Sequence, residues 1–142
     1  TNAIRGPILA LINRIKRKFM TRVLVDMSLT LFHHGHVRLL KKAAELGHVT
    51  VALTIDEEIK RVKGFVPPLK FEQRKEIALS IRYVDEVIPC NWLIDENFLD
   101  LHKIDLLVHG EDYENSVPDH RTVIFPRTEG ISSSLLRNDV FN

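Results

Sequence analysis

Short runs of aliphatic and β-branched residues alternate with amphipathic helical segments along most of the chain. The run RVLVDM, residues 22–27, predicts a buried strand, and HVRLLKKAAEL, residues 36–46, predicts a helix that ends at Gly47. Strands are also predicted at VTVALT, VDEVI, IDLLVHG and TVIF, and helices at FEQRKEIALSIR, DENFLDLHK and SSSLLRNDV. About five such alternations predict an α/β fold, in which a parallel sheet of about five strands carries helices on both faces.

Composition limits the classes of protein to which the chain can belong. Its 142 residues are enough for one domain with a full-sized core, and its net charge of +1 argues against a dedicated nucleic-acid binder. The single cysteine, Cys90, excludes an internal disulfide framework and a zinc-finger cluster, and it favours a cytoplasmic location. No apolar run approaches the roughly 20 residues that a membrane-spanning helix needs.

Residues 1–20 are interpreted as an amino-terminal extension that precedes a domain at residues 21–142. Within residues 3–20, apolar residues recur at helical spacing and basic residues occupy other positions, which predicts an amphipathic helix. The favoured interpretation is a helix that packs on the domain or on a partner subunit, and the alternative is a basic helix on a membrane surface. The apolar residues are Ile8, Leu9, Ile12, Ile15 and Phe19, and the basic ones are Arg14, Lys16, Arg17 and Lys18.

The loop after the first predicted strand, residues 28–34, is the candidate functional site. In open parallel sheets ligands bind beyond the carboxyl ends of strands, and the start of the next helix attracts anions through its unpaired N–H groups and its dipole. Gly35 allows a ligand to approach the backbone, and His33 and His36 can donate hydrogen bonds to phosphate oxygens, more strongly when protonated. His34 is interpreted as a spacer. Zinc binding is disfavoured because the pair has no third ligand nearby in sequence, and nucleophilic catalysis is disfavoured because no cysteine or serine follows a recognisable nucleophile pattern.

Four motifs, of which the first begins in this loop, occur along the chain and strengthen the functional prediction. LFHHGHVRLLKKAAELG, RYVDEV, HGED and RTEGISSS together resemble the cytidylyltransferase family of the nucleotidyltransferase superfamily, and they are most similar to its glycerol-3-phosphate, choline-phosphate and ethanolamine-phosphate branches. The resemblance covers the chain from Arg22 to Leu136 and leaves the amino-terminal helix outside. It implies a Rossmann-like fold and a homodimeric enzyme that uses Mg²⁺, joins CTP to a small alcohol phosphate and releases pyrophosphate. It also implies in-line attack of the acceptor phosphate oxygen on the α-phosphorus, without a covalent enzyme intermediate.

The resemblance implies roles for individual residues as well. His33 and His36 are the histidines of H-x-G-H, which hold the triphosphate and stabilise charge in the transition state, and Arg127 in RTEGISSS contacts phosphate. Lys63 reaches the triphosphate and the acceptor phosphate, and Arg74 holds the acceptor phosphate, for which its fork of N–H donors is suited. No side chain is assigned as a metal ligand. The other nucleotide-binding positions are Ser28, Leu29, Thr30, Gly35, Trp92, Gly110, Asp112, Thr128, Ile131, Ser132 and Ser133.

Some of these positions also have a simpler interpretation. Lys63 is typical of a solvated lysine in a loop, although Gly64 beside it favours a loop that a ligand approaches closely. Arg74 is typical of an exposed helix arginine. Trp92 either stacks on the base or fills the core, and the serine hydroxyls of SSSLL either bind the nucleotide or cap the last helix.

The loop departs from the family pattern G-T-F-D, because residues 27–30 are MSLT. Met27 is expected to put a side chain where the backbone approaches phosphate, and Thr30 offers a hydroxyl in place of a carboxylate near the nucleotide and metal. Three functions therefore stay open. They are a cytidylyltransferase with glycerol 3-phosphate as the leading acceptor, an adenylyltransferase that acts on a sugar or flavin phosphate, and a nucleotide-binding domain without catalysis.

Overall fold

The computed structural model describes residues 2–111, 116–126, 128, 130 and 136. Most of the predicted final helix, SSSLLRNDV, lies outside the described residues. Helix α1 spans Asn2–Met20, and its described side chains, those of residues 5–16, are all exposed. These side chains do not pack into the core of the domain, although the helix does contact α2 and β2, and the predicted packing on the domain or on a partner subunit stays a prediction. Within the described residues, no helix combines the length and the apolarity that a bilayer crossing requires.

All five predicted strands are present, and they form one parallel sheet. The order across the sheet is β3-β2-β1-β4-β5, which confirms the predicted α/β fold. Central strand β1 pairs with β2 and β4, and Val25 lies opposite Val51 on one side and Val108 on the other. The strands are β1 Arg22–Met27, β2 His48–Thr54, β3 Glu86–Cys90, β4 Leu106–His109 and β5 Thr122–Ile124.

The direction in which strands are added reverses at β1. Strands β2 and β3 extend the sheet on one side of β1, and the chain then crosses over to place β4 and β5 on the other side. The carboxyl ends of β1 and β4 therefore meet at a topological switch point, where ligands bind in folds of this type. The loop that was predicted as the site leaves β1 at this point.

Four α-helices follow α1 in the described part of the chain, and three of them were predicted. They are α2 His34–Leu46, α3 Asp56–Lys63, α4 Phe71–Leu79 and α5 Glu96–Leu101. Helix α3 was not predicted because Ile59 is the only buried residue among its eight, so it has almost no apolar periodicity. Its first turn is acidic and its last turn is basic, which complements the helix dipole and is the signal that could have identified it.

The core consists of two clusters, one on each face of the sheet. On one face, alternate residues of β1 from Val23 to Met27 pack with Leu40 of α2. On the other face, Leu24 belongs to a cluster that includes Leu99 of α5. Strand β1 is therefore buried from both sides, as its continuous apolar run predicts, and only its carboxyl end is available to a ligand.

Gly47 follows α2 for a reason different from the predicted one. Its φ of 166° is extended backbone, so the helix does not end in a left-handed cap. A β-carbon at this position would collide with the carbonyl oxygen of Thr21, which accepts a hydrogen bond from the backbone N–H of His48 at 2.9 Å. The glycine therefore permits close packing between the end of α2 and the start of β1.

Candidate functional site

The two predicted histidines build the amino terminus of α2. His33 is the N-cap residue, and its Nδ1 accepts a hydrogen bond from the backbone N–H of Gly35 at 3.1 Å. His36 reaches back, and its Nδ1 accepts from the backbone N–H of His33 at 3.1 Å. Together the bonds form a capping box in which imidazoles take the place of the usual hydroxyl and carboxylate. The ring centroids are 3.9 Å apart, so the structure brings the two predicted site residues into contact.

The capping bonds determine which ring nitrogens can face a ligand. A neutral imidazole carries its proton on one nitrogen only, and a nitrogen that accepts a hydrogen bond is the unprotonated one. Because Nδ1 accepts in both His33 and His36, the proton of each neutral ring lies on Nε2. Each ring is therefore left with one N–H donor for a phosphate oxygen, at Nε2.

Burial keeps the two imidazoles neutral in the absence of a ligand. Burial, together with the neighbouring His33, lowers the pKa of His36 to about 4. The pKa of His33 is also lowered, first by burial and then by His34. At neutral pH both rings thus act as neutral donors, and the stronger donation expected from protonated histidines does not apply to the empty site. A bound polyanion favours the charged ring and raises these pKa values.

The loop between β1 and α2 presents backbone because its large side chains belong to the core. Met27 is 9% exposed and Leu29 is 5% exposed, and both are members of one core cluster. The expectation that the Met27 side chain obstructs phosphate is therefore wrong. Leu29 has a φ of 52°, a left-handed conformation that costs an ordinary residue about 1–2 kcal/mol and that clusters at binding sites. The structure places Ser28 and Thr30 on either side of this residue.

Arg74 supports this loop from inside the fold. Its side chain is fully buried, and its Nη2 binds Oδ1 of Asp56 at 2.6 Å. Its Nη1 donates to the carbonyl oxygens of Ser28 at 2.7 Å and Thr54 at 2.9 Å, and its Nε donates to that of Leu69. Arg74 is therefore not the exposed arginine that the pattern allows. Its predicted contact with the acceptor phosphate stays a prediction, since the guanidinium is occupied by internal acceptors here.

Lys63 and Trp92, which were predicted separately, lie together beyond β2 and β3. Lys63 is the last residue of α3, and its Nζ is 5.2 Å from the centroid of the half-buried Trp92 ring, a cation–π distance. The backbone N–H of Trp92 is held by Oε1 of Glu58 at 3.2 Å. Gly64 has a φ of 81° and donates its N–H to the carbonyl of Lys60, so it caps α3, and the expected close approach of a ligand stays a prediction.

A third imidazole, which was not predicted from the sequence, lies at the switch point. His109 ends β4, and its Nε2 lies 3.4 Å from Oδ1 of Asp26, with both side chains mostly buried. A β-carbon on Gly110 would meet no atom of the described residues within 4 Å. The register makes the two residues neighbours, because Val25 lies opposite Val108, and this register is visible only in the folded sheet.

The remaining predicted residues lie mostly outside the described part of the chain. Thr128 is half-buried. Within residues 2–111, 116–126, 128, 130 and 136, no group of three or more His, Cys, Asp or Glu side chains is arranged to hold a metal ion. The predicted positions for which the structure gives no placement are Asp112, Arg127, Ile131, Ser132 and Ser133.

Several known enzymes are similar to the chain over most of its length. Glycerol-3-phosphate cytidylyltransferase of Bacillus subtilis (strain 168) is 36% identical over 126 residues, which are 85% of this chain and 98% of that enzyme. The enzyme of the same name from Staphylococcus aureus (strain NCTC 8325 / PS 47) is 38% identical over 130 residues, or 86% and 96% of the two chains. Ethanolamine-phosphate cytidylyltransferase of Dictyostelium discoideum is 35% identical over 128 residues, which are 81% of this chain and 35% of that longer protein.

A solved structure and a family model agree with the architecture and the motifs. The structure of the lipopolysaccharide core biosynthesis protein from Thermoplasma volcanium GSS1 matches with a TM-score of 0.65 and 19% identity, covers 77% of this chain and 98% of that one, and shows the fold alone. The family model described as Cytidylyltransferase-like matches residues 30–139, from the end of the MSLT loop onward. With its histidine-capped helix at the switch point of a parallel sheet, the chain belongs to the cytidylyltransferase-like family, which confirms the predicted resemblance.

Proposed function

We propose that the protein is a cytidylyltransferase that transfers CMP from CTP to glycerol 3-phosphate and releases pyrophosphate. Two relatives that are 36% and 38% identical, and almost fully covered by this chain, are glycerol-3-phosphate cytidylyltransferases. A third is an ethanolamine-phosphate cytidylyltransferase, so the chemistry shared by all three is transfer of CMP to a small alcohol phosphate.

The observation that carries the proposal is the pair of neutral imidazoles at the start of α2. Each ring offers one Nε2–H donor, and the helix adds unpaired backbone N–H groups and the positive end of its dipole. A triphosphate is the kind of ligand that such a site attracts. Catalysis of phosphoryl-type transfer needs little more than positioning and electrostatic stabilisation, which these fixed donors supply.

The chain needs no general base for this reaction. The acceptor phosphate has a second pKa of about 6, so its oxygen is already an anionic nucleophile at neutral pH. In the proposed step that oxygen bonds to the α-phosphorus, the bond from the α-phosphorus to the bridging oxygen breaks, and pyrophosphate leaves with the electron pair. His33 and His36 donate to the phosphate oxygens on which charge develops. Lys63 and Arg127, through the family resemblance, supply positive charge beside them.

Mg²⁺ is proposed as the cofactor, and it binds together with the nucleotide. In phosphoryl-transfer sites magnesium takes most of its ligands from substrate phosphates and water, with one or two carboxylates from the protein. Within the described residues, no group of three or more His, Cys, Asp or Glu side chains is arranged to hold a metal ion by itself. The ion would neutralise part of the triphosphate charge. Removal of Mg²⁺ with EDTA should abolish turnover, and restoring the ion should recover it.

A panel assay tests the reaction. The protein is incubated with CTP or ATP, Mg²⁺ and one of glycerol 3-phosphate, choline phosphate, ethanolamine phosphate or a flavin phosphate, and pyrophosphate release is followed. We expect release that depends on CTP and is fastest with glycerol 3-phosphate. Release that depends on ATP alone would identify an adenylyltransferase and contradict the proposal.

Thr30 favours a second candidate, a nucleotide-binding domain without catalysis, because the family carries an aspartate at this position. A rise of the melting temperature with CTP but no pyrophosphate release would identify that function. The variant Thr30→Asp tests whether the missing carboxylate limits turnover, and a higher rate would show that it does. Met27 should be left in place, because Met27→Gly removes a side chain of the core and lowers stability.

Three further features of the molecule belong to the proposal. The first is a homodimer, which the family resemblance implies, and sedimentation of the variant Leu79→Asp, which places a charge at an exposed apolar residue of α4, tests it.

The second is a cytoplasmic location, which is supported by the single cysteine, Cys90. This residue is a buried free thiol, and burial raises its pKa to about 12. The third is a contact of residues 3–20 with a membrane surface or a partner subunit, supported by the exposure of α1.

A further inference from the structure

Helix α1 holds a set of apolar side chains in solvent. The five described aliphatic residues larger than alanine are between 41% and 58% exposed, while the domain buries many of its aliphatic side chains in two clusters and exposes others, such as Leu93 and Leu101. Such a contiguous apolar surface on a protein marks a contact with another surface. The residues are Ile8, Leu9, Leu11, Ile12 and Ile15.

Basic residues flank this apolar surface on both sides. With 3.6 residues per turn, four of the five apolar residues fall in an arc of about 100° that runs from Leu11 to Ile12. Arg5 and Lys16 lie just beyond Ile12, and Arg14 lies beyond Leu11. Their aliphatic stems can follow the apolar face while their charged ends extend outward. This is the arrangement of a helix that lies at an interface between water and hydrocarbon.

Charge distinguishes an anionic lipid surface from a second copy of the chain. The helix sequence NAIRGPILALINRIKRKFM contains five basic residues and no acidic one. On the domain, several carboxylates are already paired with arginines of the same chain, and a symmetric contact between the α1 helices of two copies would bring like charges together, so another copy is a weaker complement for this helix. A bilayer with anionic headgroups offers negative charge along the full length of the helix. The paired carboxylates are Asp56, Glu58, Glu96 and Asp100.

We propose that α1 docks the protein in the plane of a bilayer surface that contains anionic lipids. The inference deepens the contact proposed for residues 3–20 and rests on that proposal, but it is independent of the CTP reaction. The apolar face enters the boundary between headgroups and acyl chains, and the flanking cations bind headgroup phosphates. The inserted residues are Ile8, Leu11, Ile12 and Ile15, and the headgroup-binding residues are Arg5, Arg14 and Lys16.

Co-sedimentation of the full chain with vesicles tests the proposal. We expect binding to vesicles of phosphatidylcholine mixed with phosphatidylglycerol, little binding to pure phosphatidylcholine, and weaker binding at higher salt. The triple variant Arg5→Gln, Arg14→Gln, Lys16→Gln should lower the vesicle partition coefficient by roughly 100-fold. The variant Ile12→Asn, Ile15→Asn should lower it without a change of charge. The matched control, Lys41→Gln, Lys60→Gln, Lys103→Gln, removes the same charge from exposed lysines of the domain and should bind like the parent protein.

The possible results separate lipid from other occupants. No binding to anionic vesicles, or binding that both α1 variants retain, would overturn the proposal. A fall in the sedimentation coefficient of Ile12→Asn, Ile15→Asn without vesicle binding by the parent would assign α1 to a second copy and would also overturn it. Displacement from vesicles by inorganic phosphate, beyond the effect of sodium chloride at equal ionic strength, would indicate a free phosphate ligand instead. Pyrophosphate release from CTP, measured without vesicles, reports the proposed reaction separately.

Discussion

At the start of α2 each imidazole has two tasks, and different ring atoms perform them. Nδ1 of His33 and of His36 accepts a backbone N–H and so caps the helix. Nε2 carries the proton and is left to donate to the proposed triphosphate ligand. A substitution that keeps an acceptor at the position of Nδ1 but has no atom at the position of Nε2 therefore separates capping from ligand binding.

The variant His36→Asn makes this separation. Its amide oxygen lies near the position of Nδ1, so it can accept the His33 N–H, and the helix should keep its cap. We expect the turnover number with CTP to fall about 10²–10³-fold, the usual effect of removing one donor to a developing charge. The melting temperature should change little. His36→Gln is the matched control, because its amide N–H lies near Nε2 and should retain more activity. Equal turnover in His36→Asn and the parent protein would remove this ring from the reaction.

The depressed pKa of His36 predicts how stability depends on pH. The pKa is 6.5 in the unfolded chain and about 4 in the folded protein, so between these values the unfolded state binds more protons. The contribution of the neutral His36 ring to the free energy of unfolding is therefore complete above pH 6.5. It is lost as the pH falls toward 4, and the total loss is up to about 3 kcal/mol. Urea unfolding at a series of pH values measures it. In His36→Asn the free energy of unfolding should fall less steeply with acid, and an unchanged slope would contradict the assignment.

The sequence identifies the residues of this site better than it identifies their roles. The H-x-G-H pattern predicts His33 and His36 because residue type and helix position can be read directly from the sequence. It does not show which nitrogen faces the ligand, because that depends on the extended N-cap conformation of His33. For Arg74, too, the sequence shows the residue and its helix but not its role. Its burial beneath Ser28 results from the packing of α4 on the sheet.

At the scale of elements, one buried guanidinium joins α4, the loop after β1 and the loop after β2. Arg74 donates to the carbonyls of Ser28 and Thr54 and pairs with Asp56 at the start of α3. The hydroxyl of Thr54 adds a bond to the carbonyl of Met27 at 3.4 Å. The position of the loop after β1, the candidate phosphate site, is therefore coupled to the end of β2 and the start of α3.

Replacing Arg74 with methionine should destabilise the whole fold. The substitution keeps most of the volume but leaves Asp56 and the carbonyls without their donor, and we expect a loss of about 3–5 kcal/mol in urea unfolding. Arg38→Met, on the exposed surface of α2, is the control and should change stability by less than about 0.5 kcal/mol. A loss below about 1 kcal/mol in Arg74→Met would contradict the structural role. A higher KM for glycerol 3-phosphate with unchanged stability would support the direct phosphate contact that the resemblance implies.

Elements with a strong apolar period could be predicted, and those stabilised by other forces could not. Every strand and α2, α4 and α5 were identified from their apolar runs. Helix α3 was missed because charge, not apolar burial, marks its ends. Gly47 and Gly64 were both noticed in the sequence. The close packing against Thr21 that Gly47 permits and the positive φ of Gly64 were not predicted, because both are properties of the folded backbone.

At the scale of the whole molecule, the site exists because two halves of the sheet meet beside β1. The crossover from β3 to β4 brings His109 next to Asp26, which are 83 positions apart in the chain, while α2 contributes the capping histidines from a local loop. A local motif could be found in the sequence, but a pair joined by strand order could not. Helix α1 takes no part in this arrangement, since its described side chains are exposed.

The exposure of α1 predicts that the domain folds and works without it. A chain that begins at Thr21 keeps the carbonyl that binds His48, and the described side chains that it loses are exposed, although the helix also contacts α2 and β2. We expect its free energy of unfolding to match that of the full chain within about 0.5 kcal/mol, since changes away from packed or bonded features have effects of that size. CTP turnover should also be unchanged, while binding to anionic vesicles should be lost. Urea unfolding, pyrophosphate release and vesicle co-sedimentation on the same preparations measure the three quantities. A truncated chain that loses several kcal/mol or its turnover would show that α1 is part of the catalytic domain.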